Sequence, residues 1–182
     1  MSKTMAAIGQ LLNLWIQGEK QWINSNFQRW NTSALTFVPF GVAVDEFQHI
    51  CYAHPELTPK ERTYQWHLLE EKYIPWRRYE NDAFMERGGY WYHKLHIYLY
   101  PFYYINYTLT TMGAMEFKKK YAEDKQAAWQ NYLKLCKTGG SRGYLETLRY
   151  ANLSNPFAEG SVARACGYAE NILLEQIAKQ AQ

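Results

Sequence analysis

No segment of the 182 residues shows convincing alternation of polar and apolar side chains with the period of two that a half-buried strand requires. Apolar residues recur at spacings of three and four instead, most cleanly at Val162, Ala165, Cys166, Ala169, Ile172, Leu173 and Ile177. A chain patterned this way can bury its stripes only by packing helix on helix, so the fold class is all-α. Proline, glycine and capping residues divide it. Thr58-Pro59-Lys60-Glu61 combines an N-cap, a proline at the first helical position and a capping-box glutamate, predicting a helix that runs to about Tyr73. Residues 4–29 read as one or two amphipathic helices, Asn31-Thr-Ser33 as a break and cap, and 34–53 as a buried helix entered near Pro39. A charged connector, Trp76 to Asp82, precedes a short helix that reaches Gly88-Gly89, where it ends or lets another backbone approach. Pro101 interrupts the helix carrying His96, and a new one starts near Phe102 and continues to about Tyr121. Further helices are expected from Asp124 to Lys137, stopped by Thr138-Gly-Gly-Ser141, then to about Ala151, and after Asn155-Pro156.

A chain of this length can bury one sizeable core and reads as one domain. Its 20 Lys and Arg against 17 Asp and Glu leave a formal charge of +3, too balanced to suggest nucleic acid or an anionic membrane as partner. Cys51, Cys136 and Cys166 are odd in number and lack any Cys-x-x-Cys spacing, which argues against a disulfide framework or zinc knuckle and for a reducing compartment. Gln10 and Asn13 interrupt the apolar stretch after Lys3, against a signal peptide, and no apolar run approaches the roughly 18 residues of a membrane span. The expectation is a cytoplasmic protein.

Aromatic residues make up 17% of the chain, and they are densest where a titratable ring joins them. In the run from His96 to Tyr107, the phenols of Tyr100, Tyr103, Tyr104 and Tyr107 follow the imidazole at four, seven, eight and eleven residues. Each buried hydroxyl needs a partner, so an apolar core has little use for so many, whereas a carbonyl becoming an oxyanion needs convergent donors. Aromatic residues at helical spacing are equally ordinary packing residues. Glu46-x-x-His49 has the spacing of half a di-iron ligand set but stands alone, which favours a polar Asp45/His49 pair. His93 and His96 lack a third nearby ligand, and His-Glu-x-x-His is absent, so no metal site is read here and His93 is taken as a surface side chain. Lys118-Lys119-Lys120, at a helix C-terminal end, is expected to be solvated.

Val44-Asp-Glu-Phe-Gln-His49, Tyr52-Ala-His-Pro55, Phe84-Met-Glu-Arg-Gly-Gly89, His96 and Pro101-Phe-Tyr-Tyr-Ile-Asn-Tyr-Thr-Leu109 together resemble the C-terminal part of oligoendopeptidase F, a thimet-oligopeptidase-like zinc peptidase. Leu133 to Gly140 and Ala151 to Phe157 extend the likeness, which covers roughly residues 35–178. Residues 1–34 are therefore set apart as an N-terminal helical segment, and 35–182 as the C-terminal helical part of a catalytic domain. The resemblance implies an all-α fold with a deep channel and a zinc ion held by His-Glu-x-x-His and a downstream glutamate, all upstream of the part seen here. By motif position His96 matches the family's substrate-binding histidine, and Tyr104 and Tyr107 match the tyrosines that face the scissile carbonyl. These three are the catalytic candidates. Tyr103, in the same run, and Tyr100, where local spacing varies among relatives, are the substrate-binding ones. The implied protein is a fragment or truncated homologue of an enzyme that cleaves short peptides, with no cofactor of its own and no activity alone. The rival is a helical binding or assembly protein, a homo-oligomer included, that uses the aromatic face as an interface.

Overall fold

The computed structural model describes the backbone of residues 20–180 and the side chains of residues 33–175. Among the described residues there is no strand, and eight α-helices follow in order. They are α1 (Lys20–Ala53), α2 (Pro59–Tyr73), α3 (Ala83–Glu86), α4 (Leu95–Leu99), α5 (Ile105–Glu123), α6 (Lys125–Thr138), α7 (Tyr144–Tyr150) and α8 (Ser161–Gln180), with a short 3₁₀ helix at Gly89–His93 between α3 and α4. No described helix is long and apolar enough to cross a membrane. The helices belong to two compact units: Thr36–Thr108, and the flanking stretches up to Leu35 and from Leu109 on.

One expectation fails at once. Asn31-Thr-Ser33 is neither a break nor a cap, because α1 runs through it and carries Pro39 inside the helix. Cap preference and proline cost are local terms, and tertiary burial overrides them: Ala34, Val38 and Phe40 are all buried. Residues 4–19 of the predicted N-terminal helices lie outside the described residues.

In the unit Thr36–Thr108, Phe40, Ala43, Val44 and Phe47 of α1 point into the core at i, i+3, i+4 and i+7, where they meet Trp66 and Leu69 of α2, Ile74, Trp91 and Tyr104. The Trp66 ring meets Phe40 and Phe47 edge-on, at centroid distances of 6.1 and 5.3 Å. The predicted capping box is complete: the Thr58 amide donates to Glu61 at 2.8 Å and the Glu61 amide to the Thr58 hydroxyl at 3.3 Å. The two readings of Gly88 both hold. It ends α3 at φ +97°, and a side chain there would collide with the Thr63 carbonyl of α2. Gly41 likewise leaves the room that the Thr108 hydroxyl occupies.

In the other unit, Phe117 of α5, Leu135 of α6 and Leu148 of α7 form a core with Ala151 and Leu153. Asp124 caps α6 by accepting from the amides of Gln126 and Ala127, and Gly139 closes it at φ +52°. Glu116 accepts the Ser154 amide at 2.9 Å and its hydroxyl at 3.1 Å, anchoring the loop that leads to α8. On α8, Ala165 and Ala169 of the expected stripe are buried, Cys166, Ile172 and Leu173 are half-buried and Val162 is exposed; the side chain of Ile177 lies outside the described residues. The lysine triplet is not a solvated patch. Lys118 faces inward with 6% of its surface exposed, and burial pushes its pKa down to about 7. Its neighbours pair along the helix, Lys119 with Glu123 and Lys120 with Glu116.

Candidate functional site

The site candidates all lie in the unit Thr36–Thr108. α4 ends where the Tyr100 amide bonds to the His96 carbonyl at 3.0 Å, because Pro101 cannot continue a helix. Tyr100-Pro101-Phe102-Tyr103 then forms a turn closed by a 3.2 Å bond from the Tyr103 amide to the Tyr100 carbonyl. Its third residue, Phe102, has φ +57°, a conformation that usually selects glycine and costs a bulky side chain about 1–2 kcal/mol. The ring offsets this cost by packing at a tilt against two rings of α1, His49 at 4.8 Å and Tyr52 at 5.0 Å. α5 begins two residues after the turn, bringing the second half of the aromatic run back onto the first.

The result is a cluster around His96. Tyr104 and Tyr107 meet the imidazole edge-on at 5.2 and 5.6 Å, Tyr103 lies parallel to it at 6.4 Å, and Tyr100 is tilted at 6.0 Å. The Tyr107 hydroxyl is 3.4 Å from His96 Nε2, a long hydrogen bond in which the phenol donates when Nε2 is unprotonated. All five rings proposed from sequence are thus neighbours, in different settings. Tyr104 is buried against Phe37 and Phe40, part of the core as well as of the cluster. Tyr103, Tyr107 and His96 are half-buried, and Tyr100 is exposed. Burial pushes the Tyr104 phenol up to about 12 and, with Tyr103 nearby, raises Tyr107 as well. Both therefore hold their protons at neutral pH and can act as donors.

The bland readings of the other motifs also have a place. Asp45 and His49 form a 3.5 Å pair one turn apart, while Glu46 turns away to bind the Lys72 ammonium at 2.9 Å and the Tyr73 hydroxyl. Burial opposes ionisation of Glu46, but those two donors outweigh it and hold the carboxyl below its usual range. His93 is exposed and stacks on Tyr90. Two cations beside Tyr104, Arg77 and Lys94, escaped the sequence reading because nothing in their local spacing marks them; only the fold brings them to the same rings.

No protein-family model matches the sequence, and no curated protein does. Solved structures do. A protein assigned as an oligoendopeptidase F is 45% identical with a TM-score of 0.78, over 82% of this chain and 26% of its own. PZ peptidase A, solved with an inhibitor, is 42% identical with a TM-score of 0.81, over 86% and 28% respectively. The chain is homologous to part of oligoendopeptidase F. A third such protein, from Bacillus anthracis, is 36% identical with a TM-score of 0.68, over 86% of this chain and 24% of its own. The chain thus spans about a quarter of the length of these solved relatives, and the oligoendopeptidase F segment that it matches is their C-terminal helical region. The oligoendopeptidase resemblance brings zinc with it, and the residues here do not fit that ion: among the described residues no three His, Cys, Asp or Glu side chains stand close enough to hold a metal.

Proposed function

We propose that this chain is the substrate-side wall of a zinc metallo-oligopeptidase, shaped to hold a short peptide but not to supply the metal. The observation that carries the reading is the convergence of Tyr103, Tyr104 and Tyr107 on His96 from either side of the Pro101 turn. Phenols held in their protonated form are suited to donate to a carbonyl oxygen as it gains charge. In this reading Tyr104 and Tyr107 face the scissile carbonyl, His96 binds the substrate beside it, and Tyr100 and Tyr103 line the approach. Peptide-bond hydrolysis belongs to the whole enzyme. The 182 residues by themselves cleave nothing, and the protein works in the cytoplasm, where its three thiols stay reduced.

The test uses the pure chain and a quenched short peptide. We expect no cleavage with or without zinc, and peptide binding that weakens about tenfold in His96→Ala and in Tyr107→Phe, the loss of one or two hydrogen bonds. Zinc-dependent cleavage would refute the silence, and unchanged affinity in both variants would refute the site.

A second reading draws on the apolar side chains left outside the cluster. Leu95, Tyr98 and Leu99 are 60%, 49% and 57% exposed, a density that favours assembly into a homo-oligomer over catalysis. Sedimentation of a monomer at high concentration would remove it.

A further inference from the structure

Two cations share one set of aromatic rings beside Tyr104. The Lys94 ammonium lies 4.7 Å from the centre of the Phe40 ring, 5.4 Å from that of Tyr90 and 6.0 Å from that of Tyr104. The Arg77 guanidinium lies 5.0 Å from Phe40 and 4.5 Å from Tyr90. Ring faces attract cations but cancel no charge. Half-burial, and then the charge of Arg77, pull the pKa of Lys94 below the usual lysine range.

The carboxylate supply is short. Glu70 is 3.6 Å from Arg77 Nη1, beyond hydrogen-bond reach, and the same Glu70 oxygen already accepts the Tyr79 hydroxyl. Arg77 Nη1 is buried with no hydrogen-bond partner. Among the described residues no carboxylate comes within 4 Å of Lys94. Two positive charges therefore face one committed negative charge, and an orphaned guanidinium N–H remains to be satisfied.

We infer that Lys94 and Arg77 are an anion-binding pair that takes the terminal carboxylate of a short peptide held at the His96 cluster. The inference rests on the peptide-binding reading above. It also sets a length. The His96 ring is 5.2 Å from that of Tyr104 and the Lys94 ammonium is 6.0 Å from the same Tyr104 ring, so the two groups are separated by at most about three extended residues. The carboxylate recognised is then that of a peptide ending within about three residues of the bond presented to His96. This would count residues from the peptide's end, which is what a peptidase confined to short substrates requires.

The experiment follows Lys94 directly. In the 182-residue protein carrying labelled lysine side chains, acetate should move the Lys94 titration upward in a saturable manner and leave exposed Lys60 unmoved. Arg77→Met should weaken that response. A peptide without acidic residues should bind at least about tenfold more tightly as the free acid than as the C-terminal amide, the size of one charge-assisted contact. That preference should vanish in Lys94→Met and return in Lys94→Arg. An acetate response absent, or equal at Lys60, overturns the pair. Acid and amide binding alike overturns the assignment to the peptide terminus while leaving the His96 site intact, as does an amide with a terminal glutamate that binds as well as the acid. If acetate moves Lys94 and neither peptide binds, the peptide reading itself has failed.

Discussion

Phe102 is set where a glycine would cost less, and its ring is what holds the turn. The normal ranking of small substitutions should therefore invert. Phe102→Gly relieves the left-handed angle while losing the ring contacts with His49 and Tyr52; Phe102→Ala loses those contacts and keeps the strain. We expect alanine to be the more destabilising by roughly 1 kcal/mol in urea titrations, the conformational difference between the two residues. The phenols carry a pH signature. Tyr104 has a folded pKa of about 12 against an unfolded value near 10, so the folded chain keeps a proton that the unfolded chain gives up. Its contribution is complete below pH 10 and is lost as pH rises toward 12. Tyr104→Phe should flatten the fall in stability across that window, read from denaturant midpoints. At this scale the motif positions of His96 and the tyrosines were legible because each is a distinctive side chain in one short run. Lys94 and Arg77 were not, because an anion pair assembled from residues 17 apart leaves no local spacing.

Most helix ends fell where caps, prolines and glycines placed them, since a first or last turn must satisfy its own amides and carbonyls whatever it packs against. Thr58 makes this measurable: Thr58→Ala should cost about 1 kcal/mol, because the hydroxyl that accepts the Glu61 amide and donates to the Glu61 carboxylate is lost, while the residue's own amide still donates to Glu61. Gly88→Ala should cost more than about 1 kcal/mol, combining a positive φ with the collision against Thr63. The long α1 is the counterexample, since Asn31-Thr-Ser33 offers a cap that burial around Ala34 and Val38 makes irrelevant. Lys118 on α5 is another, a charged residue in a triplet that reads as surface and sits inside. Its folded pKa of about 7 lies below the unfolded one, so the unfolded chain binds the extra proton and stability rises with pH between about 7 and 10. Lys118→Met should accordingly flatten that rise with pH in the same denaturant assay.

For the whole molecule, folding should owe nothing to a metal. No His-Glu-x-x-His occurs in the sequence, and the described residues offer no ligand cluster, so neither zinc nor a chelator should shift the melting temperature of the 182-residue protein. An upward shift with stoichiometric zinc would reveal a site made by other residues. The sequence by itself determined the all-α class, most helix limits and the kinship with oligoendopeptidase F, because hydrophobic period, caps and motif order are properties of neighbours along the chain. Only the tertiary structure decided that α1 continues through a cap-like triplet, that Lys118 is buried and that Phe102 is clamped by α1. It alone decided that a lysine and an arginine share the rings behind Tyr104. Those outcomes depend on which distant groups displace water from one another, and such long-range burial outweighs local preferences worth about 1 kcal/mol each.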